Sequence, residues 1–86
     1  MSSENTISVE DALAMLAELF EEPPENITPE AKRDDIEGWD SLGELSLMAE
    51  FDERFGITLD TDTLESFAIV DDLLQVLKDN QALVAN

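Results

Sequence analysis

The sequence predicts an all-α fold: a small bundle of three main helices plus one short helix, with a long ordered loop between the first and second. Three observations carry this. Apolar residues recur at helical spacing in three separate stretches. Polar residues suited to helix starts, Ser8 and Asp40, stand before the first two of them. The one extended stretch, Ile57-Thr58-Leu59, has no second strand to pair with. The 86 residues imply one domain, 1–86, with residues 1–7 and 81–86 expected to fray.

The first helix is predicted over residues 9–21. Ser8-Val9-Glu10-Asp11 resembles a capping box with aspartate in place of the usual glutamate. Val9, Ala12, Leu13, Leu16, Leu19 and Phe20 fall on one face, and Pro23-Pro24 stops the helix. Residues 22–39 form the long connection. It holds all three prolines, and Ile27, Ile36 and Trp39 are spaced to pin it across the bundle. A loop this long in a small domain is uncommon and usually functional or disordered. Trp39 reads either as a lid on the core or as a ring for stacking a ligand, the lid being preferred.

The second helix is predicted over residues 41–55. Leu42, Leu45, Leu47, Met48, Ala49, Phe51 and Phe55 cover more than half its circumference, while Ser46, Glu50, Glu53 and Arg54 share a polar strip with Gly43. So wide an apolar arc is buried by two neighbours or shown to a partner. Gly56 is the expected left-handed cap. A short helix lies within residues 60–67, capped from Asp60-Thr61-Asp62, with Leu64 and Phe67 on its apolar edge. The last helix, 70–79, buries Val70, Leu73, Leu74 and Leu77; Asp71 and Asp72 suit its positive end and Lys78 its negative end. Residues 81–86 extend it or fray.

Composition excludes much. With no cysteine and no histidine, the chain lacks a thiolate nucleophile, the commonest general base and the commonest zinc ligands, so an enzyme is not expected. The net charge of −18, from 22 acidic and 4 basic residues, disfavours nucleic acid and anionic membranes and favours a basic protein partner. No apolar run approaches the ~20 residues needed to cross a bilayer. The N-terminus has no secretory pattern, so a cytoplasmic monomer is expected.

The chain is organised around Gly38-Trp39-Asp40-Ser41-Leu42-Gly43, where the loop ends and the apolar helix begins. The Asp40 carboxylate can accept from the free N–H groups of the first turn. Ser41 then holds the first helical position, at the positive end of the macrodipole, where a phosphate is favourably placed. It is either an ordinary helix-start serine or an attachment point.

The residues resemble a known family, the acyl carrier proteins and the related peptidyl and D-alanyl carrier domains. The likeness rests on Asp40-Ser41-Leu42 at a loop-to-helix junction. It continues through Leu45, Leu47, Phe51 and Phe55-Gly56-Ile57, and through Phe67-Ala68-Ile69-Val70-Asp71-Asp72-Leu73. It implies that Ser41 carries 4′-phosphopantetheine through a phosphodiester, installed from coenzyme A by a phosphopantetheinyl transferase. Cargo, acyl or aminoacyl, is then held as a thioester on the arm, which explains how a chain without cysteine can do thiol chemistry. The resemblance also implies partner enzymes with basic docking surfaces, met by Asp40, Leu42, Glu44, Leu45, Met48 and Asp52; Glu53 belongs to the same acidic strip.

Four positions depart from the carriers of fatty acid biosynthesis. Trp39 replaces a small residue, Gly43 and Ser46 stand where acids are frequent, and Ile69 replaces a capping threonine. A specialised carrier, of secondary metabolism for instance, is expected rather than the housekeeping one. Leu42, Leu45, Met48, Leu64 and Phe67 form either a partner or cargo patch or plain core. Two other classes fit the sequence less well. Asp60-Thr61-Asp62 starts like a calcium loop but continues with Leu64 at the fifth position and lacks the glycine at the sixth. An acidic inhibitor or nucleic-acid mimic would explain the charge but not the serine at the helix start.

Overall fold

A computed structural model describes residues 6–84. Four α-helices carry the fold: α1 (Val9–Phe20), α2 (Ser41–Glu50, continued by a wide π turn Phe51–Phe55), α3 (Thr61–Glu65) and α4 (Val70–Asp79). Two single-turn 3₁₀ segments, Pro24–Asn26 and Arg33–Asp35, lie in the connection between α1 and α2. The all-α bundle with a long ordered loop is therefore the observed architecture.

Local chemistry sets the boundaries. Ser8 Oγ accepts from the Asp11 amide at 3.1 Å, Asp40 Oδ1 from Gly43 at 2.9 Å and Asp60 Oδ1 from Thr63 at 2.8 Å, so α1, α2 and α3 each start on a side-chain cap. Hydrogen bonding to Thr63 holds the exposed Asp60 carboxyl below its ordinary value of 3.8. α4 has no capping side chain at Ile69; instead Asp72 reaches back, its carboxylate accepting from the Ala68 and Ile69 amides at 2.7 and 3.2 Å. That is the N3 half of a capping box.

α1 ends one residue earlier than its sequence suggests. Glu21 turns left-handed at φ 56°, and the Glu22 amide closes onto the Ala17 carbonyl at 2.9 Å. The proline pair follows this cap and does not create it. Gly56, at φ 68°, caps the π turn in the same way. Within that turn Phe51 and Phe55 meet edge to face, centroids 5.6 Å apart.

The core draws on all four α-helices and the π turn. Ala12, Met15, Leu16, Ala17 and Phe20 of α1, Leu47 and Phe51 of the long helix, Leu64 of α3, and Val70, Leu73, Leu74 and Leu77 of α4 are buried. Met15 and Ala17 extend the face expected for the first helix, whereas Val9, Leu13 and Leu19 are only partly covered. Ile27, Ile36 and Trp39 are buried too, so the connection is pinned across the bundle as expected. Backbone bonds fasten it as well. The Arg33 amide donates to the Ala68 carbonyl at 2.9 Å, Val70 to Ala31 at 3.0 Å and Asp71 to Pro29 at 2.9 Å.

The chain ends correct the sequence reading. Ile7–Ser8 (β1) and Leu83–Val84 (β2) pair as parallel two-residue strands, Ile7 opposite Leu83. The expected absence of a strand pair is overturned, and residues 7 and 81–84, which the sequence expects to fray, lie in this pair and the turn that leads to it; residues 1–5, 85 and 86 lie outside the described part. Gln81, at φ 58°, turns the chain out of α4, and the Ala82 amide closes onto the Leu77 carbonyl at 2.7 Å. Ile7 and Ala82 are each only 4% exposed, and the Ile7 amide donates to the Ala82 carbonyl at 2.8 Å. Strands of two residues are too short to leave any periodicity to read.

Burial of Ile7 makes a definite prediction. Ile7→Ala should cost about 2–5 kcal/mol, like other large-to-small core changes, and appear as a lower urea midpoint with an unchanged slope. An unchanged midpoint would mean that this end is frayed.

Candidate functional site

The start of α2 is set by a contact that leaves no room for a side chain. A Cβ on Gly38 would lie 1.7 Å from the Phe20 carbonyl oxygen. One on Gly43 would lie 2.1 Å from the Gly38 carbonyl oxygen and 3.1 Å from the Phe20 ring. The end of α1, the end of the loop and the first turn of α2 therefore touch backbone to backbone. Gly43 is buried, not part of a polar strip as its sequence context suggested.

Aromatic stacking closes the same junction. Trp39 lies on Phe20 with centroids 5.2 Å apart and planes 12° from parallel, and it is 4% exposed. This is the core-lid reading of Trp39; the ring has no free face for a ligand. Its Nε1 is buried without a hydrogen-bond partner.

Above this floor the helix start is open. Asp40, Ser41 and Leu42 are all exposed, and Leu42 is exposed to 74%. The Gly43 amide is taken by the Asp40 carboxylate and the Glu44 amide by the Asp40 carbonyl, at 2.9 and 2.8 Å. Helix geometry leaves the Ser41 and Leu42 amides of this first turn without internal acceptors. A shallow recess of about 140 Å³, lined by residues including Leu19, Gly38, Leu42, Gly43 and Ser46, adjoins this turn on the α1 side.

Glu44, expected from the sequence as a docking acid, is engaged within the fold. Its carboxylate forms a close ion pair with Arg33, and its side chain is only 16% exposed. Arg33 also donates to the Leu64 and Phe67 carbonyls at 3.0 and 3.4 Å, and its guanidinium lies 5.7 Å from the Trp39 ring centroid. One side chain thus ties the loop to α2, to the end of α3 and to the aromatic floor. Sequence reasoning missed it. The available signal was a basic residue in an otherwise acidic, proline-bearing segment.

The remaining expected site residues separate into two groups. Leu45 is 61% exposed, one turn beyond Leu42. Met48 is half-buried and, with Ala49, Asp52, Thr58 and Leu59, lines a groove further along the helix, where Asp52 is exposed. Leu64 and Phe67 are core residues, 1% and 8% exposed, so they share no surface patch with Leu42 and Leu45.

Residues 10–77 match the family described as "Phosphopantetheine attachment site". This chain belongs to the phosphopantetheine carrier family. It is 31% identical over 72 residues to the acyl carrier proteins of Helicobacter pylori strains G27 and HPAG1, with 84% of this chain and 92% of each relative covered. The carrier's prosthetic group is a covalently attached 4′-phosphopantetheine, and its partners include a phosphopantetheinyl transferase and acyl-handling enzymes. Members of this family are not themselves catalytic. Among the described residues no helix is long and apolar enough to cross a membrane.

The residues at the α2 start fit such a group. An exposed serine, two first-turn amides without helical acceptors and a helix N-terminus suit a phosphodiester, the dipole contributing about 0.3–1 kcal/mol at an exposed position. The neighbouring Asp40 charge opposes that gain. Once attached, the arm supplies a thiol that the chain lacks.

The close contact is testable. Gly43→Ala should destabilise the fold by about 1–3 kcal/mol in urea unfolding, despite alanine's better helix propensity, because its methyl group overfills the junction. A gain in stability would show that the junction can open without cost.

Proposed function

We propose that Ser41 is the attachment point, and that the carrier holds an acyl or aminoacyl group there as a thioester on the arm. The observation that supports Ser41 is its combination of an exposed hydroxyl with a first-turn helical position. The other serines of the described chain suit the role less well. Ser8 caps α1, the Ser66 hydroxyl donates to the Thr63 carbonyl at 2.6 Å, and Ser46 lies beyond the first turn, away from the free amides.

In this reading the chain's own groups do limited work. Asp40 and the glycine contact fix the first turn, and the helix N-terminus receives the phosphate. The exposed residues after Ser41 meet the enzymes that load and unload the cargo. The protein acts as a monomeric carrier in the cytoplasm, and its overall −18 charge draws basic partners toward it.

A specialised carrier, rather than the housekeeping one of fatty acid synthesis, is part of the same proposal. Trp39 and Gly43 offer less support than their sequence positions suggest, since stacking and close packing against Phe20 account for both. The support comes from the second helix, where the exposed residues from Ser41 to Ala49 are all uncharged.

Incubation with coenzyme A, magnesium and a broad-specificity phosphopantetheinyl transferase should add the mass of one phosphopantetheine to the intact protein. Ser41→Ala should add none, and Ser46→Ala should add the full increment. Modification of Ser41→Ala, or none of the wild type, would reject the assignment.

A further inference from the structure

Ser41 stands between Asp40 and Leu42, and both of these neighbours line the recess of about 140 Å³ on the α1 side of the turn. Leu19 and the left-handed Glu21 contribute to it from the end of α1, and Ser46 from the next turn of α2. The lining divides by chemistry. Leu19 and Leu42 are apolar, and Leu42 is largely exposed. The Asp40 and Glu21 carboxylates accept hydrogen bonds, and the Ser46 hydroxyl donates or accepts them. No lysine or arginine lines the recess, so it does not suit an anion. The group that fits is neutral, with an apolar body and hydrogen-bond donors at its edge.

The other directions from Ser41 offer less. Toward α3, Arg33 bridges Glu44 of α2 to the Leu64 and Phe67 carbonyls, so a charged pair crosses that side of the helix start. The groove beyond it, at Lys32, Phe67 and Ile69, has no α2 residue in its lining. Along α2, the groove at Met48 begins about 10 Å down the helix axis from Ser41. The α1-side recess alone among these is lined by the residues on either side of Ser41.

We propose that this recess is the seat of the first part of the prosthetic arm, the pantoyl unit next to the phosphodiester, and that it leaves the thiol end and its cargo in solvent. The proposal rests on Ser41 as the attachment point. The pantoyl unit is neutral and carries a pair of methyl groups on one carbon, a secondary hydroxyl and an amide. Leu19 and Leu42 receive the methyl groups. The Asp40 and Glu21 carboxylates and the Ser46 hydroxyl receive the O–H and N–H donors. Size agrees: a cavity of about 150 Å³ holds a benzene-sized group, so this recess takes the pantoyl unit and excludes the longer remainder of the arm. Attachment makes the encounter intramolecular, with an effective concentration on the order of millimolar, so a shallow site is sufficient. Seating the first unit shortens the free tether and directs it toward the end of α1, away from α3.

NMR of the full chain with labelled methyl groups, before and after loading from coenzyme A, tests this. Loading should shift the Leu19 methyl and Glu21 amide resonances, which belong to α1 and its cap and are remote in the chain from the new bond at Ser41. The paired methyl groups of the arm should show nuclear Overhauser contacts to Leu19 and Leu42, while the Met48 and Leu64 methyl resonances keep their positions. Ser46→Phe, which fills the recess with a ring, should abolish the Leu19 contacts on loading. Leu42→Ser, which removes one apolar wall, should weaken them. Intact mass confirms loading of each variant, and thermal melting confirms that each is folded.

Arm methyl groups that contact Met48 or Phe67 in place of Leu19, or that contact no protein group, would overturn the proposal. So would Leu19 contacts that persist unchanged in loaded Ser46→Phe. The two readings fail differently. A wild type that gains no mass, or a gain that survives in Ser41→Ala, removes both, whereas normal loading at Ser41 without Leu19 contacts removes this one alone.

Discussion

Backbone contact at one junction governs the rest of this structure. Gly38 lies against the Phe20 carbonyl, and Gly43 lies against Gly38, at distances where a methyl group would overlap backbone atoms. This brings the end of α1, the end of an 18-residue connection (22–39) and the first turn of α2 to one point. Trp39, stacked on Phe20, seals it from below. The helix start that carries Ser41 is thus anchored on its buried side and open on the other. With Ser41 as the proposed attachment point, that division suits a carrier, because its reactive group is tethered and mobile while the attachment point is presented in one orientation to an enzyme.

Charge is arranged with the same economy. Self-repulsion in an 86-residue domain of charge −18 works against the compact state, and few cations are available to relieve it. Arg33 concentrates several functions in one place. It pairs with Glu44, donates to two carbonyls at the end of α3 and lies over Trp39. With a side chain 27% exposed, the pair with Glu44 is more shielded from water than an ordinary surface bridge. Arg54 and Glu50, both substantially exposed, form the weaker counterpart further along α2.

Much of this was legible in the sequence, for identifiable reasons. Helical spacing located α1, α2 and α4, and the capping side chains of Ser8, Asp40 and Asp60 marked three starts. These are local rules acting within a few residues. The apolar spacing of Ile27, Ile36 and Trp39 also correctly signalled a pinned loop. What was hidden depends on partners distant in the chain. Gly43 looked like part of a polar strip because nothing local announces that Gly38 and Phe20 press against it. The Glu44 ion pair was hidden because its partner is 11 residues away in a loop without a repeating pattern. The terminal strands were invisible because each is two residues long and their pairing spans nearly the whole chain. Family membership identified the prosthetic group, whereas the character of the surface around Ser41 emerged only from the packing.

The central claim is that the long connection is an integral part of the folded core and holds the α2 start in place. Native-state amide hydrogen exchange tests it most directly. The Arg33, Ile36 and Trp39 amides, bonded to Ala68, Arg33 and Ile36 carbonyls at 2.9, 3.1 and 3.1 Å, report on the loop, and Leu47 and Leu73 report on the core. If the loop is part of the cooperative unit, its amides should open with nearly the free energy of the Leu47 and Leu73 amides. Loop amides that exchange at the rate of an unstructured peptide, while those core amides stay protected, would contradict the account.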